Sequence, residues 1–122
     1  MITEDYINFE TAKLLKEKGF DENCAALYHL RTGEISQQGV GYVFNNSQWE
    51  NFVSAPTLQM AMKWLRKKYG LYCSVIFNSH NDWEPCILEL HNDKVPKNYL
   101  TSCETYEEAA ETAIKYCLEN LI

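Results

Sequence analysis

Apolar positions recur with two different periods along the chain, and the switches between them predict its elements. Leu58, Ala61, Met62, Leu65 and Tyr69 fall at i, i+3, i+4, i+7 and i+11, one face of a helix. That helix is expected over Leu58 to Tyr69, capped by Thr57, barred from extending backward by Pro56 and ended by Gly70. A second stripe, Ala109, Ala110, Ala113, Ile114, Cys117 and Leu121, follows the capping box Thr105-Tyr106-Glu107-Glu108 and runs nearly to the last residue. An earlier helix is expected from Phe9 to Lys18. Asn8 can accept an orphan N–H there, and Ile7 can pack on Ala12 as a hydrophobic staple. Gly19 supplies a left-handed stop, and Phe20 can fold back on Leu15. Thr3 is a second possible cap, for a longer helix.

Between the helices the pattern shortens to strand-like runs. Cys24 to Arg31 reads as a strand, followed by the turn Thr32-Gly33-Glu34. Gly39 to Phe44 is strand-like through Val40, Tyr42 and Val43, Asn45-Asn46-Ser47 turns the chain, and Trp49 to Val53 is a further short strand candidate. Leu71 to Phe77 is the strongest strand, with Val75, Ile76 and Phe77 strongly β-prone. Asn78-Ser79-His80-Asn81-Asp82 is its hairpin loop and Trp83 to Leu90 its partner. Pro85 cannot donate to a ladder, so that partner belongs at an edge or is bulged. His91-Asn92-Asp93 is a turn, and Val95 to Ser102 is short extended or irregular chain. Ser54-Ala55-Pro56-Thr57-Leu58 and Ser102-Cys103-Glu104-Thr105-Tyr106 share the pattern Ser-x-x-Thr-apolar, each opening a helix after strand-like runs. The expectation is an α+β fold, one globular domain over 1–122 in the order α-ββ-α-ββ-α. Its sheet is antiparallel, with the helices packed mainly on one face.

Composition narrows the function. The net charge is −6, from 11 Lys and Arg against 17 Asp and Glu, which disfavours duplex nucleic acid. Aromatic residues make up 13% of the chain, more than a small core requires, which hints at aromatic surface for a ligand or partner. The five cysteines, Cys24, Cys73, Cys86, Cys103 and Cys117, form no Cys-x-x-Cys pair. They read as reduced core residues, as in a cytosolic protein. No apolar run is long enough for a membrane span, and the acidic start Met1-Ile2-Thr3-Glu4-Asp5-Tyr6 lacks a signal core.

Three segments carry a resemblance: Phe9 through Glu22, Ala55 through Arg66, and Tyr106 through Ile122. Together they resemble small proteins of no assigned activity encoded by phages and prophages of gut Bacteroidales. The likeness covers both ends and the middle, and not residues 29–52. It implies a setting, a phage accessory protein acting in the host cytoplasm, and no chemistry. More locally, a hairpin followed by Glu104-Thr105-Tyr106-Glu107-Glu108-Ala109 resembles the same stretch of HicB-type antitoxins.

The chain contains no Gly-x-Gly-x-x-Gly, no Gly-Lys-Ser/Thr, no zinc-spaced Cys/His set and no Gly-x-Ser-x-Gly elbow. Two clusters remain. His80, Asp82, Trp83 and Glu84 could pair a stacking ring with hydrogen-bonding groups, although Asn and Asp in a turn explain the composition by themselves. Lys63, Arg66, Lys67 and Lys68 could receive phosphates, although cations collect at helix C-termini for the dipole alone. Trp49 and Trp64 read as anchors, Trp49 with a possible partner patch around it, and His29 as a hydrogen-bonded packing residue. The leading expectation is a non-enzymatic, cofactor-free binding protein that sequesters a small nucleotide-type host signal as a counter-defence. The alternatives are a protein-binding inhibitor or antitoxin-like module and a small enzyme using His80 to Glu84. A homodimer is plausible, with neither membrane nor duplex nucleic acid as a partner.

Overall fold

In the computed structural model, residues 2–37, 43–47, 50–90 and 100–122 are described. The turn at His91 to Asp93, the residue Trp49 and most of the expected strand from Gly39 lie outside them. The chain divides into two compact units, Met1–Thr57 and Leu58–Ile122.

The first unit opens with helix α1, Phe9–Glu17. Its start is local chemistry: Asn8 Oδ1 accepts from the N–H of Thr11 at 2.9 Å. Ile7 and Ala12 are both fully buried, at the two positions of the expected staple. Its end is a Schellman turn. Gly19 has φ 89°, the N–H of Phe20 bonds to the carbonyl of Leu15 at 2.9 Å and that of Gly19 to Lys16 at 3.1 Å.

Strands β1 (Ala26–His29), β2 (Ile35–Gln37) and β3 (Phe52–Ser54) form an antiparallel sheet in the order β2-β1-β3. The first expected strand is shorter than Cys24 to Arg31. Cys24 makes only an isolated bridge to Phe44, and the chain already turns at Leu30. The hairpin partner β2 was not expected. Ile35-Ser36-Gln37 is exposed, half-buried, exposed, with its one apolar residue on the outer side, so no apolar alternation marks it and it is held by backbone pairing, Tyr28 opposite Ile35. The third strand runs over Phe52–Ser54 rather than Trp49 to Val53, making the first unit α-βββ. Ile7, Leu15, Phe20 and Val53 are among the largest fully buried side chains of this unit.

The second unit contains α2 (Leu58–Tyr69), β4 (Leu71–Phe77), β5 (Trp83–Glu89) and α3 (Tyr106–Asn120). Gly70, at φ 65°, ends α2 and donates its N–H to the Arg66 carbonyl at 3.1 Å. Thr105 Oγ1 caps α3 by accepting from the N–H of Glu108 at 3.1 Å. β4 and β5 pair in unbroken antiparallel register from Leu71 opposite Glu89 to Phe77 opposite Trp83. Both helices pack on this hairpin and on each other. The α3 stripe is buried as expected except at its end, where Leu118 takes the buried place expected for Leu121. A helix turns about 100° per residue, and Leu118 lies four residues after Ile114 on the same side.

The fold is α+β with antiparallel pairing throughout, divided between two sheets rather than one. The two expected ββα repeats are not the packing units. The helix that follows the first set of strands, α2, packs on β4 and α3 within the second unit.

Candidate functional site

Pro85 decides which edge of the β4–β5 hairpin is open. The N–H of Asn78 bonds to the Asp82 carbonyl at 2.9 Å, and that of Leu90 to Gly70 at 2.6 Å. Bonded pairs therefore fall on even-numbered residues, and odd-numbered ones direct their backbone groups outward. On the outer side of β5, Trp83 exchanges backbone bonds with Cys103 at 2.9 and 2.8 Å. The next outward position is Pro85, which has no N–H, so the bridge stops there. Pro85 lies in register and unbulged, opposite Val75. The outer side of β4 pairs with no strand among the described residues.

A groove of about 220 Å³ runs along that open side. Its floor is Tyr72, Cys73, Ser74 and Val75, and its wall is Gln59, Met62 and Arg66 of α2. These three fall at i, i+3 and i+7, one stripe of the helix. Tyr106 completes it at the start of α3, where its hydroxyl accepts from Gln59 Nε2 at 3.1 Å. The Arg66 guanidinium lies 5.9 Å from the centre of the Tyr72 ring, a cation–π contact. No carboxylate among the described residues pairs with Arg66.

The other cations of α2 separate from this site. Lys68 lies over Trp64 at 5.2 Å and Tyr69 at 5.7 Å. Lys63 and Lys67 are exposed. Trp64 is buried, as an anchor should be. The basic cluster read from the sequence thus places one member, Arg66, in a concavity.

The hairpin tip is organised by Asn78, a residue not singled out beforehand. Its Oδ1 accepts from the N–H groups of His80 at 2.9 Å and Asp82 at 3.0 Å, while its Nδ2 donates to Glu84 at 3.0 Å. His80 is exposed, and Asn81 takes φ 63° to close the bend. Glu84 is thus engaged in the turn. Trp83 is half-buried between Phe77, ring centres 4.7 Å apart, and Tyr106, edge-on at 5.9 Å.

The first unit carries a wider cavity of about 410 Å³, lined by His29, Leu30, Arg31, Thr32, Glu34, Asn51 and Phe52. His29 is the packing residue expected. Its Nε2 shares a hydrogen bond with Ser36 Oγ at 2.8 Å and its ring meets Phe52 edge-on at 4.8 Å.

The five cysteines are free thiols. Four are buried as expected, and Cys103 is half-exposed because it sits on the bridge to β5 rather than in a core. Burial, with Glu22 nearby, pushes the Cys24 thiol up to about 12. Cys73 and Cys117 lie with sulfurs 3.6 Å apart. Their hydrogen bond, followed by burial, raises the Cys117 thiol far above its ordinary value. Thiols held protonated are poor nucleophiles.

The residues missed by sequence reasoning are Gln59, Tyr72, Ser74 and Tyr106. One signal was present: Tyr72, Ser74 and Ile76 alternate with Leu71, Cys73 and Val75, so a tyrosine and a serine share the less buried face of an apolar strand. Among the described residues no three His, Cys, Asp or Glu side chains could hold a metal ion, and no helix is long and apolar enough to cross a membrane. No family model, curated protein or solved structure matches this chain.

Proposed function

We propose that the protein is a non-enzymatic binding module whose recognition site is the groove between α2 and the open side of β4, and whose ligand is anionic. The observation that carries this reading is Arg66: a guanidinium on an aromatic ring, at a concavity, without a carboxylate partner among the described residues. Such a cation is oriented in advance and retains its donors for a ligand. Ser74 and Tyr106 add hydroxyl groups beside it.

In the phage and host-cytoplasm setting that the sequence resemblance implies, two ligands fit. One is a small nucleotide-type host signal, its phosphate on Arg66 and its base against Tyr72, sequestered as a counter-defence. The other is an acidic segment of a host or phage protein, held as by an inhibitor or antitoxin. The second is favoured by the exposed apolar side chains at the end of the same strand, Ile76 and Phe77, 46% and 52% exposed.

Calorimetry and thermal-shift titration of the whole chain against cyclic and ADP-ribose-type nucleotides and acidic peptides test the reading. At least one of them should bind, and Arg66→Ala should weaken it about tenfold, the loss of one charge-assisted contact. Binding that Arg66→Ala leaves unchanged places the site elsewhere and overturns the reading.

A further inference from the structure

The order of donors and acceptors along the open side of β4 distinguishes the two ligands. Leu71, Cys73, Val75 and Phe77 are the odd-numbered positions, and their backbone groups point away from β5. At the groove floor, Cys73 and Val75 each present one N–H and one C=O, repeating about every 6.8 Å. A phosphate supplies acceptors for the N–H groups and leaves each carbonyl facing another acceptor. An extended peptide supplies a donor and an acceptor at every second residue, which matches the edge group for group.

The edge also lacks the devices that keep strands from pairing. From Leu71 to Phe77 it carries no charged side chain and no proline, and its register with β5 contains no bulge. The other edge of the same hairpin is bridged by Cys103 at Trp83 and interrupted at Pro85.

The wall of the groove sets a pattern for that strand. Met62 and Arg66 lie four residues apart on α2, about 6 Å along its axis. Alternate residues of an extended chain lie about 6.8 Å apart on one face. A peptide along β4 passes both positions, but Met62 is only 3% exposed, so Arg66 is the one that reaches a side chain of the peptide. We propose that the groove takes an extended peptide as a third strand on β4, recognised through an acidic residue. Its carboxylate meets Arg66.

This inference rests on the groove being the recognition site. Its test is an immobilised array of blocked octapeptides, varied at the acidic position and its neighbours and probed with the wild-type chain and with Arg66→Ala. Cyclic dinucleotides and ADP-ribose are titrated in parallel by calorimetry. Bound peptides should share an acidic residue, and exchanging it for its amide should weaken binding about tenfold. Methylating alternate backbone nitrogens of the peptide should abolish binding, and Arg66→Ala should erase the preference for the acid. Methylated peptides that bind equally well overturn strand addition. Nucleotide binding that depends on Arg66, with no peptide bound, overturns the peptide and leaves the anionic-ligand reading standing. Neither class binding overturns both. A dimer in sedimentation that bound peptide does not dissociate assigns the edge to a second copy and overturns the inference.

Discussion

Thr11 is wholly buried in α1, and its hydroxyl has no hydrogen-bond partner among the described residues. A buried unbonded hydroxyl is costly, and valine has nearly the same shape without it. Thr11→Val is expected to raise the unfolding free energy by about 1 kcal/mol, read from urea denaturation. A loss would show that the hydroxyl is bonded. Gly33 poses the opposite constraint. It has φ 72°, and an added Cβ would lie 3.2 Å from the Phe9 ring. Gly33→Ala should therefore cost about 1–2 kcal/mol in the same measurement. Among the thiols, a water-soluble disulfide reagent should label Cys103 first in the native chain, and the four buried cysteines only on unfolding. Four equally fast thiols besides Cys103 would contradict the burial.

The elements divide into those fixed locally and those fixed by pairing. Asn8 and Thr105 cap their helices within three residues of themselves. Asn8→Ala and Thr105→Ala should each lose about 1 kcal/mol, by thermal or urea melts, with Gly replacements losing less. Because a cap and a stop lie within one turn of the helix they bound, α1, α2 and α3 were legible from the sequence. The pair β4 and β5 was legible too, since a short turn leaves one simple pairing. β2 was not. Its three residues show no apolar alternation, and they are a strand because Tyr28 and Leu27 lie opposite them. Pro85 was read correctly as an edge residue. That it closes its own edge, leaving the β4 side as the open one, depends on the parity of the ladder.

Over the whole molecule the buried thiols set the response to alkali. Cys24 is pushed up to about 12 from an ordinary value of 9.0, and Cys117 is raised as well. The folded chain thus retains protons that the unfolded chain releases. The stability linked to them is complete below pH 9.0 and is lost as pH rises through the folded values, from 9.0 toward about 12 for Cys24. Urea midpoints should fall as pH is raised from 8 to 11. Cys24→Ala should lower the midpoint at pH 8 and flatten the fall above pH 9. A fall as steep as that of the wild-type chain would mean that Cys24 ionises alike in both states. At this scale, too, α2 is grouped with β4, β5 and α3, so a repeat visible in the sequence is not a repeat in packing.

The sequence by itself determined the three helices, the caps of α1 and α3, the glycine stops of α1 and α2, the strong hairpin and the α+β class. Each depends on side-chain periods and backbone bonds spanning a few residues. Tertiary structure decided what no local pattern encodes. It drew Arg66 out of a row of similar lysines onto Tyr72, set Gln59 against Tyr106, and left the backbone groups of Cys73 and Val75 turned outward. Those outcomes depend on which elements meet and on the parity of a strand ladder. A shift of one residue in that ladder would have turned a different set of backbone groups toward the groove.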